Sequence, residues 1–113
     1  MTPLPFSPFI KKGNFIFTSG QIYLKDGQLL EGTIENQTHQ VMENHQSILE
    51  KAGATFNDVI KTTIYATDMS LYEKINEVYA SYFTHNFPAR EMIGVKELPL
   101  GAVLEISMIA YKE

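Results

Sequence analysis

The residue best suited to chemistry is Arg90, the only arginine among 113 residues. It follows Phe87-Pro88-Ala89 and opens the stretch Glu91-Met92-Ile93-Gly94-Val95. Pro88 fixes its own φ and biases Phe87 towards extended backbone, so Arg90 is expected at the mouth of a strand. A guanidinium is permanently charged and presents a planar fork of donors suited to bidentate recognition. An arginine that merely solvates a strand end has the same local sequence, and residue type alone leaves both readings open.

A second candidate is Thr18-Ser19-Gly20-Gln21, where small polar residues and a glycine at a strand end let backbone N–H groups approach a ligand closely. An ordinary bulge or turn is the commoner use of such a stretch. The three histidines carry less. His39 and His45 are six residues apart, which is not the i,i+4 spacing of a helical metal pair, and His85 is remote in sequence. All three read as solvated or packing residues, with no metal site. Cysteine is absent, which removes disulfides and thiolate chemistry and makes the cytoplasm the expected location.

The elements that must position these residues belong to one domain spanning 1–113, with 44% hydrophobic and 19% charged residues. The net charge is −4 and the basic residues are scattered, which weighs against a nucleic-acid partner. No window holds the roughly 18 apolar residues of a membrane span, and Met1-Thr2-Pro3-Leu4-Pro5 lacks the pattern of a signal peptide.

Phe6 to Ile10 and Asn14 to Thr18 read as strands around a Lys11-Lys12-Gly13-Asn14 turn. Lys25-Asp26-Gly27-Gln28 is a turn leading to a helix with Thr33 as N-cap and Gly53 just beyond its end. Val59 to Thr67, rich in β-branched residues, is a strand. Ser70 and Glu73 form a capping box for a second helix carrying Leu71, Ile75, Val78 and Tyr82, which Asn86-Phe87-Pro88 ends. In the last strand, Val103 to Tyr111, residues Ala102, Leu104, Ile106, Met108 and Ala110 make an unbroken apolar face. Val103, Glu105, Ser107, Ile109 and Tyr111 make a half-apolar one. The expected class is α+β, a mixed sheet with two helices on one face. The half-apolar second face wants another layer, most economically another copy of the chain.

Taken together, Thr18-Ser19-Gly20-Gln21, Ala52-Gly53, Asp58 to Tyr65, Asp68, Ile75 to Tyr79, Phe83, Phe87-Pro88-Ala89-Arg90, Leu98-Pro99 and Leu104-Glu105-Ile106 resemble the reactive-intermediate deaminase (RidA, YjgF-like) family. The match is collinear from about Phe6 to Tyr111. The resemblance implies a chorismate-mutase-like fold assembled as a homotrimer with ligand clefts between subunits. It also implies hydrolysis of short 2-imino or enamine acids to 2-oxo acids and ammonia, without cofactor or metal. Arg90 would hold the substrate carboxylate by two charge-assisted hydrogen bonds. Ser19 and Gly20 would line the cleft, and Asn76 would lie beside it.

Three positions depart from the family pattern. Phe9 stands where a tyrosine is frequent, Met92 where a cysteine is frequent, and Ser107 where a glutamate positions or activates water. Glu105, two residues from Ser107 on the same strand face, is the available substitute carboxylate. The alternative that follows is a non-catalytic, carboxylate-binding trimer. The family's other label, ribonuclease or translation inhibitor, is disfavoured by the acidic charge.

Overall fold

A computed structural model describes residues 4–84 and 86–113. His85 and the first three residues, which include part of the stretch read for a signal peptide, lie outside the described residues. Along the chain run β1 (Phe9–Lys12), β2 (Phe15–Thr18), β3 (Leu24–Lys25), β4 (Gln28–Leu29), α1 (Ile34–Lys51), β5 (Val59–Ala66), α2 (Tyr72–Ala80), β6 (Ala89–Gly94) and β7 (Leu104–Tyr111). The main sheet has the order β1-β2-β7-β5-β6; only the β5–β6 pair is parallel, bridged by α2. This is the expected α+β arrangement. No helix among the described residues is long and apolar enough to cross a membrane.

The alternation of β7 decides which way the sheet faces. Leu104, Ile106, Met108 and Ala110 are buried, while the residues between them are half-buried. Ile16, Ile64 and Ala66 extend the buried face, and Val41, Met42, Leu49, Ile75 and Tyr79 of the helices close over it. Burying each large aliphatic side chain contributes about 1.5–3 kcal/mol, so this one face carries most of the hydrophobic stabilisation. The outer face exposes Ile10, Phe15, Phe17 and Tyr111, with Phe15 set edge-on against Tyr111 at 5.0 Å.

Helix α1 forms as its caps dictate. Thr33 accepts from the Asn36 N–H at its start, and Gly53 takes φ +84° at its end. Gly53 N–H then reaches Glu50 O and Ala54 N–H reaches Leu49 O, a Schellman pair that satisfies the last carbonyls.

Several boundaries differ from the sequence reading. β1 begins at Phe9 rather than Phe6, because Pro8 has no N–H for the ladder. Ser7 and Pro8 are instead held through their carbonyls by Ser19, whose hydroxyl donates to Ser7 O at 2.5 Å and whose N–H donates to Pro8 O at 2.9 Å. The turn at Asp26-Gly27 has φ of 52° and 82°, the geometry of a tight hairpin, and it joins β3 to β4 rather than leading straight to the helix.

The Ser70–Glu73 capping box does not form. Asp68 caps a short 3₁₀ turn, Met69–Leu71, by accepting from Ser70 N–H, and α2 starts only at Tyr72. Helix α2 also stops early, at Ala80, so Tyr82 and Phe83 lie beyond it. The Ser81 hydroxyl donates to Val78 O at 2.6 Å and competes for the carbonyl that the next helical N–H needs.

Candidate functional site

Arg90 sits opposite Thr62 in the β5–β6 register, on the helix side of the edge strand. One Nη donates to Asn76 Oδ1 at 2.5 Å and the other to the Tyr72 hydroxyl at 3.3 Å. The guanidinium carbon lies 5.2 Å from the Tyr79 ring centre and 5.6 Å from that of Tyr72. Tyr72, Asn76 and Tyr79 are spaced i, i+4, i+7, which puts all three on one stripe of α2. Tyr79 is anchored in turn, its hydroxyl 2.7 Å from Thr62 Oγ1. Burial pushes the Tyr79 hydroxyl pKa up, against smaller opposing effects of Thr62 and the Arg90 charge.

Among the described residues no carboxylate pairs with Arg90, and the only ion pair joins Lys61 to Glu91 at 2.6 Å, on the outer sheet face. The guanidinium is therefore a fixed cation with donors to spare, and it opens into a cleft of about 320 Å³ lined by Asn76, Tyr79, Ala80, Phe87, Pro88 and Arg90. A planar cation in a partly apolar cleft suits a small carboxylate with an apolar body.

The remaining candidates gather elsewhere. The β2–β7 ladder stops at Phe17↔Ile109 and pairing resumes at Gln21↔Ile106. Thr18, Ser19 and Gly20 therefore oppose only Met108 and Ser107, which makes a bulge of one extra residue. Thr18 Oγ1 bridges the gap by accepting from Met108 N–H at 2.9 Å. The bulge brings Gly20 against the Glu105 side chain so closely that a Cβ there would collide with the carboxylate. Partial burial pushes the Glu105 carboxyl above the usual range.

Ser107, two residues on, lies opposite Thr63 on the same outer face. Phe9 pairs with Thr18 across β1–β2 and packs its ring against the core; Met92 also packs against the core beside Arg90.

The candidates thus form two half-sites. Arg90 and Asn76 share the helix side of the β6 edge. Glu105, Ser107, Ser19 and Gly20 share the bulge and the outer side of β7. One strand separates β6 from β7, so the halves are about 10 Å apart across the sheet and face opposite ways. A single chain does not bring them together. Tyr72 and Tyr79, which were not among the expected site residues, are contacts that hold Arg90; their spacing around Asn76 is the signal that marks them. Among the described residues no three His, Asp or Glu side chains converge as metal ligands.

The chain is similar to known proteins over nearly its whole length. A RutC family protein of Pyrococcus horikoshii is 50% identical over 111 residues, covering 96% of this chain and 88% of that one. Reactive Intermediate Deaminase A, chloroplastic, of Arabidopsis thaliana is 41% identical over 108 residues, covering 94% of this chain and 58% of that protein. The crystal structure of Escherichia coli TdcF with bound serine superposes with a TM-score of 0.93 at 32% identity, covering 99% of this chain and 91% of that one. The family model described as Endoribonuclease L-PSP matches residues 2–112. The chain belongs to this RidA/YjgF-like L-PSP family.

Proposed function

We propose that the protein hydrolyses small reactive 2-enamine or 2-imino acids, of the 2-iminobutanoate and 2-iminopropanoate type, to 2-oxo acids and ammonia. The observation that carries this reading is Arg90: an unneutralised guanidinium, held by Asn76 and two tyrosine rings, at the mouth of a cleft sized for a short carboxylic acid. The name of the Arabidopsis relative and the serine bound to TdcF support it, since serine also carries a carboxylate next to a nitrogen-bearing carbon.

In this reading Arg90 clamps the carboxylate. Water adds to C2 of the C=N bond to give a carbinolamine; proton transfer to nitrogen and loss of ammonia leave the 2-oxo acid. The outer side of β7 supplies the water-handling half. Because one chain holds its two halves apart, the reading includes a homotrimer in which the cleft of one copy meets the β7 face of the next. General-base help is worth about 10²–10⁴-fold. Ser107 cannot provide it as a carboxylate does, which leaves Glu105 as the nearest acceptor. An iminium is already electrophilic and needs less help than an amide.

The test is a threonine dehydratase reaction with semicarbazide competing for the imine. Added protein is expected to speed 2-oxobutanoate release and Arg90→Ala to abolish the effect. Equal acceleration by both, or none by the wild type, sinks the proposal. The serine at position 107 favours a second reading, a carboxylate-binding trimer without turnover. Saturable 2-oxobutanoate binding with no acceleration selects it.

A further inference from the structure

His45 is fully buried, on the side of α1 that packs beneath the sheet. Its Nε2 lies 2.6 Å from the carbonyl oxygen of Ile106, across 61 residues of sequence. A carbonyl only accepts, so Nε2 carries the proton and Nδ1 is left with a lone pair. That Nδ1 is buried without a partner among the described residues.

An aliphatic side chain would fill the same space with no orphaned nitrogen, and a buried nitrogen without a partner is destabilising. Packing therefore gives no reason for a histidine here. Nor does the carbonyl need it, since Ile106 O already accepts from Gln21 N–H at 2.8 Å, and Ile106 N–H donates to Gln21 O at 3.0 Å.

What the second donor does is fix the direction of that carbonyl. On the β2 side the Gln21–Ile106 bridge is isolated, with no ladder towards Gly20 to hold it. On the other side β7 stays paired with β5, Ile106 opposite Ile64 and Ser107 opposite Thr63. The bridge is also the point where the Thr18–Gly20 bulge closes. Tilting of the Ile106 carbonyl would loosen the Gln21 bridge and shift Gly20 relative to the Glu105 side chain that it touches, on the side of the Ser107 half-site.

We propose that His45 is a positioning residue for the outer half-site: it fixes the Ile106 peptide from beneath and so holds the bulge against Glu105 and Ser107. Its activity readout rests on the deaminase reading above; its structural readout does not. Glutamine is the informative replacement, because its Nε2 reaches as far along the side chain as that of histidine and can donate to the same carbonyl.

His45→Leu is expected to keep the core filled and to melt at or above the wild-type temperature. It is also expected to lower kcat about tenfold while KM stays within about twofold, because Arg90 lies on the other half-site. His45→Gln is expected to restore kcat to within about twofold of wild type. Equal losses in the two variants, or an unchanged kcat in His45→Leu, overturn the inference.

In ¹⁵N-labelled protein the Gly20 and Gln21 amide resonances should move in His45→Leu and return in His45→Gln; amides that stay put in both overturn it as well. If the wild type hydrolyses no imine but these amides respond as expected, the reaction assignment falls and the positioning role stands.

Discussion

Arg90 is a cation in search of an anion, and the geometry says how much the anion should gain. Hydrogen bonds to charged groups contribute about 1.5–3 kcal/mol each, so a two-bond carboxylate clamp corresponds to at least about 100-fold in affinity. Arg90→Ala should weaken 2-oxobutanoate binding by that factor in a calorimetric titration. Arg90→Lys should recover only part of it, because an ammonium lacks the fork and cannot sit between Asn76 and the Tyr79 face in the same way. At the other half-site, Ser107→Glu places a carboxylate beside Glu105. If water activation limits the rate, timed 2-oxo acid release should rise by about tenfold or more in that variant. An unchanged rate would mean that Glu105 already does the work, and Glu105→Gln should then abolish it.

Elements were legible in the sequence where a single pattern governed them. β7 alternates over its whole length, and α1 has a Thr33 cap, a regular stripe and Gly53, so chain and structure agree closely there. They part where two local choices compete. Ser70 and Glu73 have capping-box spacing, but Asp68 caps first and diverts the chain into a 3₁₀ turn. Ser81 truncates α2 through its hydroxyl, which no hydrophobic period reveals. His45 shows the same limit, since a histidine on a helix stripe does not announce which carbonyl lies below it.

That histidine should also shape the acid limit of the fold. Burial lowers its pKa from 6.5 to about 4, against a smaller opposing effect of the Ile106 bond, and Glu105 next to Ile106 points to the opposite face. The unfolded chain takes up the proton first, so stability from this group is complete above pH 6.5 and is lost as pH falls towards 4. The loss amounts to about 3 kcal/mol. Urea midpoints measured from pH 7 to pH 4 should therefore fall more steeply for the wild type than for His45→Leu.

At the scale of the whole molecule, two features left unexplained by one chain explain each other. The outer sheet face exposes Ile10, Phe15, Phe17 and Tyr111. The half-sites, meanwhile, sit on opposite faces with β5 between them. The uncovered face was legible in the alternation of β7, but the opposite facing of the half-sites was not, because strand order, not residue order, sets which side each group faces. Assembly through the exposed face would bury the aromatics and let the β7 side of one copy approach the Arg90 cleft of another. Phe17→Glu should then lower the sedimentation mass to that of a monomer and abolish hydrolysis together.

A sharper test separates assembly from site sharing. Arg90→Ala removes the clamp, and Gly20→Val drives a side chain into the place of the Glu105 carboxylate; each alone should be inactive. If every site joins the clamp of one chain to the β7 face of a neighbour, dissociating and reassembling the two variants in equal amounts makes a fraction of sites with both halves intact. Random assortment in a closed ring sets that fraction at about one quarter of the wild-type activity. Activity that stays at zero after subunit exchange, with the mixed oligomers shown by mass spectrometry to have formed, would place the whole site within one chain and remove the reason for the shared cleft.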